Sequence, residues 1–109
     1  MARGVNRGEV WGYRFRRPDK WRPVVVLSRP EVIPLLDTVI VAPITSTVRG
    51  APSEVWVGPD EGLKHPSAVN LDHVQTVEKG RLEKFLGQLP THKMRAVCRA
   101  LALAVGCEE

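Results

Sequence analysis

Cysteine is scarce in this chain: Cys98 and Cys107 lie near one end, in neither a CxxC nor a zinc-like spacing. Two such residues do not make a disulfide framework, and reduced thiols in a cytosolic protein are the expectation. No set of His, Cys, Asp and Glu has metal-ligand spacing, so neither a metal nor a cofactor is expected. No apolar run approaches the length of a membrane span, and Met1 to Gly8 lacks the apolar stretch of a signal peptide. A cytoplasmic protein is therefore expected. No repeat, low-complexity tract or linker splits the sequence, so residues 1–109 are expected to form a single domain. That length buries roughly two thirds of the unfolded surface. Acidic residues are the last shortfall: 12 Asp and Glu against 16 Lys and Arg leave a net charge of +4. With a pI near 9.5, this favours a polyanionic partner.

What is present is organised around Arg22-Pro23-Val24-Val25-Val26-Leu27-Ser28. Four successive apolar residues, three of them β-branched, predict a strand buried on both faces, because a continuous apolar run leaves no side for water. Pro23 cannot donate to a ladder and suits such a strand's first position. Arg22 then stands at the mouth of a stiff core strand, where its planar, always charged fork matches phosphate oxygens. The plainer reading is a surface arginine flanking a strand. Upstream, Glu9 to Phe15 alternates Val10, Gly12 and Arg14 with Trp11, Tyr13 and Phe15, the period of a half-buried strand with an aromatic face. Arg16 to Trp21 reads as a basic connection. Arg16, Arg17 and Lys20 can hold a nucleic-acid backbone while Trp21 stacks on a base; alternatively Trp21 covers the barrel end and the charges keep the loop wet.

Arg29-Pro30 opens a short irregular or helical segment to Leu36, and Asp37 to Ile44 reads as a strand running out into Thr45, Ser46 and Thr47. Hydroxyls at a strand end suit binding, and they are also common in turns. Ser53 to Val57 is another alternating strand, followed by a loop to Pro66. Ser67 to Leu71 is strand-like, with Asp72 to Val77 continuing it past a bulge or bend. Lys79 to Lys84 suggests one or two helical turns, Phe85 to Leu89 a closing strand, and Thr91 an N-cap. Met94, Val97, Cys98, Leu101 and Val105 recur at helical spacing up to Gly106, which puts Cys98 in the core. Ala96, Ala100 and Leu103 form a second apolar patch, for a dimer interface or for burial within the monomer. Arg95 and Arg99 fall on a solvated face, Cys107 is exposed, and His65 and His92 have no evident partner. Short strands with Gly and Pro turns, then one amphipathic helix, predict a mainly β fold with α, a small antiparallel barrel.

Taken in order, GEVWGYRF, RPVVVLS, VIVAPITS, GLKHPSAVNLDHVQTVEKGRL and LGQL with the capped helix resemble the MazF/PemK (Kid) family of toxin endoribonucleases over nearly the whole chain. The resemblance implies an SH3-like β-barrel with a C-terminal helix, usually a homodimer, that cuts single-stranded RNA without a metal. It also implies a cognate antitoxin protein of a type II toxin–antitoxin system, seated in the RNA groove. By local motif identity the family's arginine falls on Arg22, its threonine on Thr45 and its aspartate on Asp72. Metal-free cleavage uses the neighbouring 2′-hydroxyl as nucleophile and leaves a 2′,3′-cyclic phosphate and a 5′-hydroxyl. The protein must place the phosphodiester in line, neutralise charge and move protons. Arg22 would carry the charge and could also protonate the leaving oxygen, Thr45 would bond a phosphate oxygen and help orient the 2′-hydroxyl, and Asp72 would orient Arg22 or act as base. The candidate RNA-binding residues are Arg16, Arg17, Lys20, Trp21, Ser46, His73 and Gln75. Of these, His73 is either a proton donor or a plain exposed histidine. Two departures stand out. Members often read Leu-Asp-Gln-Val-Arg-Thr where this chain has Leu71-Asp72-His73-Val74-Gln75-Thr76, so an arginine becomes Gln75, and the first loop is shorter. Two other readings share the fold: a toxin poisoning DNA gyrase, which needs no phosphate clamp, and an RNA-binding barrel with weak catalysis.

Overall fold

The computed structural model describes residues 4–16 and 19–107. Its strands are β1 (Glu9–Arg16), β2 (Asp19–Val26), β3 (Thr38–Thr45), β4 (Glu54–Val57), β5 (Ser67–Asn70), β6 (Gln75–Glu78) and β7 (Lys84–Gln88), followed by helix α1 (Thr91–Ala104). The pairs are antiparallel, in the order β4-β5-β3-β2-β1-β7, with β6 also on β3. The sheet curls into a half-barrel with one C-terminal helix, the mainly β architecture that the strand pattern predicts. Among the described residues no helix is long and apolar enough to cross a membrane.

β2 is the spine. Val24, Val25 and Val26 are fully buried, and period-two alternation sends them to two different cores. Val25 and Leu27 join Val10, Ile44 and Val69 with Val97 and Ala100 of α1. Val24 and Val26 join Trp11, Val39, Val41 and Val77, with Tyr13 and Phe15 packed against them. Each buried valine contributes roughly 1.5–3 kcal/mol relative to exposure. The strand starts earlier than the sequence suggests. β1 and β2 form a hairpin whose ladder reaches Arg14↔Trp21, Phe15↔Lys20 and Arg16↔Asp19, so Lys20 and Trp21 are strand residues. Pro23 consequently sits mid-strand, opposite Gly12 and one step before the ladder with β3 begins at Val24↔Pro43. A missing amide there interrupts little. Arg17 lies outside the described residues.

Three other expectations are corrected. Asp72 to Val77 does not continue β5: a 3-10 turn, Leu71–His73, breaks the strand. β6 then pairs with β3 from Val41↔Gln75 to Thr38↔Glu78, whereas β5 pairs with Ile44 and Thr45. Thr91 is not the cap. The Pro90 carbonyl accepts the amides of Lys93 and Met94, both at 3.0 Å, which makes Pro90 the N-cap and Thr91 the first helical residue. Cys98 is exposed, because α1 turns Val97 and Ala100 inward and the next position lies about 100° further round. The second apolar patch divides: Ala100 is buried and Ala96 packs on the first core, while Leu103 stays 39% exposed.

The curl closes backbone on backbone. Gly62, at φ 91°, lies against the Leu86 carbonyl and Gly87 against the Glu61 carbonyl, so neither site has room for a Cβ. Beside this seam Glu61, 3% exposed, accepts the Gly58 amide at 2.6 Å and Lys93 Nζ of α1 at 2.9 Å. Burial is the largest influence on its carboxyl and pushes the pKa up. The Lys93 and Gly58 hydrogen bonds with the charges of Lys93 and His92 together outweigh it, leaving the pKa below its ordinary 4.5. A depressed carboxylate stabilises the fold above its unfolded pKa, and that contribution is lost as pH falls through the folded value. Unfolding measured from about pH 7 down to about pH 3 should show the wild type losing more stability in the acid limb than Glu61→Gln. Parallel curves would mean that this tie between helix and barrel contributes nothing.

Candidate active site

The ladder of β2 on β3 runs from Val26↔Val41 to Val24↔Pro43, and Arg22 and Thr45 each stand two residues beyond its last pair. Arg22 alternates onto the same face as Val24 and Val26, and Thr45 onto that of Val39 and Val41, all four valines belonging to the second core. Packed valines thus fix where the guanidinium and the hydroxyl emerge. Both line a groove of about 580 Å³ together with Lys20, Asp72, His73 and Gln75. Thr45 Oγ1 accepts the Thr47 amide at 3.1 Å, which leaves the hydroxyl proton free for donation.

Asp72 reaches the groove from the 3-10 turn after β5. Its amide donates to Asn70 Oδ1 at 3.0 Å, and the hydroxyl of buried Ser53 donates to Asp72 Oδ2. The carboxylate is exposed yet tethered to the floor of the fold.

Sequence reading reached Thr47 as one of the strand-end hydroxyls but missed the loop beyond it. Arg49 and Ala51 line the same groove as Thr47, and so do Phe15 and Asn70. Glu54 holds this loop in place: its Oε1 accepts the amides of Arg49, Gly50 and Ala51 at 3.1, 2.8 and 3.1 Å. Arg49 therefore brings a second guanidinium to the groove. The signal in the sequence is faint, an arginine ahead of a turn glycine and just behind a run of hydroxyls.

Other candidates lie elsewhere. Arg16 is exposed at the hairpin end of β1, opposite Asp19, and lines neither this groove nor its neighbour. Trp21 and Ser46 line a second cleft, of about 320 Å³, which Arg22 and Thr45 also border. Trp21 lies on Gly12, where a Cβ would fall inside the indole, and stays 38% exposed. It is a seated cleft wall, neither a loop aromatic nor a plug in the barrel end. Among the described residues no group of three or more His, Cys, Asp or Glu side chains is placed to hold a metal.

A family model of PemK-like, MazF-like toxins of type II toxin–antitoxin systems matches residues 6–105. The chain belongs to this family. A curated MazF relative, the probable endoribonuclease MazF5 of Mycobacterium tuberculosis, is 47% identical over 102 residues, covering 93% of each chain. The solved structure of the M. tuberculosis toxin MazF-mt6 matches with a TM-score of 0.85 at 37% identity, over 93% of this chain and 99% of its own. A mycobacterial endoribonuclease in complex with its cognate antitoxin matches with a TM-score of 0.88 at 26% identity, over 97% of this chain and 99% of that one. Gln75, the departure from the usual MazF motif, lines the same groove as Arg49.

Proposed function

We propose that this chain is the toxin of a type II toxin–antitoxin system, a sequence-specific endoribonuclease that cuts single-stranded RNA without a metal and so blocks translation and growth. The observation that carries this reading is that Arg22 and Thr45 line one groove together with Lys20 and Arg49. Three cations on one open channel favour a polyanion. Unpaired RNA supplies both the phosphates and, in its 2′-hydroxyl, the nucleophile.

In the proposed reaction the 2′-oxygen attacks the adjacent phosphorus and the bond from phosphorus to the 5′-oxygen breaks, giving a 2′,3′-cyclic phosphate and a 5′-hydroxyl. Arg22 neutralises charge gathering on the non-bridging oxygens. A guanidinium does not release its proton in proteins, so proton transfer falls to other groups. Thr45 donates to a phosphate oxygen, Asp72 takes the 2′-hydroxyl proton, and His73 in the same groove protonates the departing oxygen. Lys20, Arg49 and Gln75 hold the strand, and Arg16 and Arg17 are assigned to a longer RNA's backbone beyond the groove.

The partners proposed are single-stranded RNA, a cognate antitoxin covering the groove, and a second copy of the chain. Apolar surface for the second copy is available at Leu35 and Leu36, 78% and 50% exposed. They follow Ile33 and Pro34, which line a groove of about 930 Å³ with Trp11 and Phe85.

Pure protein incubated with a long single-stranded RNA in EDTA should give discrete fragments whose 5′-hydroxyl ends a kinase labels without prior dephosphorylation. Cleavage abolished by EDTA would overturn the mechanism. RNA bound with a steep salt dependence but left intact would leave only a binding barrel.

A further inference from the structure

The geometry points to the smaller cleft as the pocket for one nucleobase beside the scissile phosphate, an inference that rests on the nuclease reading above. Lys20, Arg22, Thr45 and Thr47 border both clefts. A phosphate clamped between Arg22 and Thr45 therefore sits on a ridge, and its two flanking nucleotides descend on opposite sides. The two sides differ in chemistry. Arg49, Asp72, His73 and Gln75 on the larger side suit the charged backbone and the sugar hydroxyls. On the smaller side the walls are Trp21, Pro23, Ile44, Leu63 and Leu86, and Lys64 and His65 stand among the polar residues. Its volume of about 320 Å³ falls at the lower end of the ~300–1,000 Å³ typical of small-ligand clefts. An apolar slot with a few polar groups matches a base, which has a stacking face and a hydrogen-bonding edge.

The slot is built in advance of any ligand. Gly62 and Gly87 let the loop that carries Lys64 and His65 pack its backbone against β7. Leu63 is 9% exposed, and the Glu61–Lys93 pair pins the residue just before the loop. Trp21 is seated on Gly12. Lys64 and His65 are exposed on this fixed frame, with an ammonium donor on one and a donor or acceptor nitrogen on the other. They are assigned the reading of the base edge, a specificity role that no motif suggested for them.

The test begins by mapping wild-type cleavage sites on a long mixed-sequence RNA. A short oligoribonucleotide carrying a preferred site is then compared with two copies in which the base on the 5′ or the 3′ side of the cut is replaced by an abasic position. One abasic copy should lose roughly ten- to hundred-fold in kcat/KM, the loss expected of a stacked base. The double variant Lys64→Ala/His65→Ala should slow the intact oligomer, leave that abasic copy no slower, and relax base preference at that position alone. Equal slowing of both oligomers, or unchanged preference, overturns the pocket while continued cleavage still supports the nuclease reading. Should the wild type cut no RNA, labelled octamers with and without a central abasic position decide by fluorescence anisotropy. Tighter binding of the intact octamer that vanishes in the double variant supports the pocket, and equal binding overturns it.

Discussion

Replacing Arg22 by alanine lowers the proposed RNA cleavage by roughly 10²–10³-fold, the usual cost of removing a preorganised donor from developing negative charge. Stability should change little, because Arg22 lies at the rim, where the ladder to β3 has not yet begun, and substitutions outside the core usually fall within about 0.5 kcal/mol. Arg22→Lys should recover only part of the loss: it restores the charge but not the planar two-pronged fork. Initial cleavage rates measured beside urea midpoints separate the two effects. Wild-type rates in Arg22→Ala would remove the guanidinium from the chemistry. Growth inhibition that persists in that variant with RNA left whole would move the reading toward protein poisoning.

Gly62→Ala should be the most destabilising of the conservative changes in this chain. The added Cβ meets the Leu86 backbone carbonyl, and the residue sits at φ 91°, so steric overlap of about 1–3 kcal/mol adds to a left-handed backbone cost of about 1–2 kcal/mol. Against a total stability of about 5–15 kcal/mol, that unfolds an appreciable fraction of molecules on warming. Gly50→Ala is the internal control. It also has a positive φ, 74°, but nothing lies within 4 Å of its Cβ, so it bears the backbone cost alone, about 1–2 kcal/mol. Chemical denaturation of both variants should give the larger loss at position 62. Equal losses would mean that the seam between β7 and the loop can open without strain.

The β2 core strand was readable because a run of valines tolerates water on neither side, and α1 was readable from its apolar spacing. The hairpin reaching back to Asp19 was not, since Arg16 to Trp21 looks like a wet turn in sequence, whereas Lys20 and Trp21 enter the sheet through backbone pairing that ignores side-chain type. Arg22, Thr45 and Asp72 stood out by local motif. Arg49 did not, because what holds it in the groove is a carboxylate from β4 accepting three loop amides, a pattern with no periodicity to detect. Cys98 was misplaced for a related reason: apolar spacing reveals a stripe on a helix but not which edge of the stripe the barrel covers.

The order of residues alone determined a mainly β chain closed by one helix, its basic balance, and the chemical types available for holding phosphate. Tertiary structure decided which of those groups meet. Side chains alternate across a sheet, so a slip of one residue between β2 and β3 would send Arg22 to the opposite face from Thr45. That register is set by two cores packing against both sides of the same strand, a contact between distant segments that no local pattern contains.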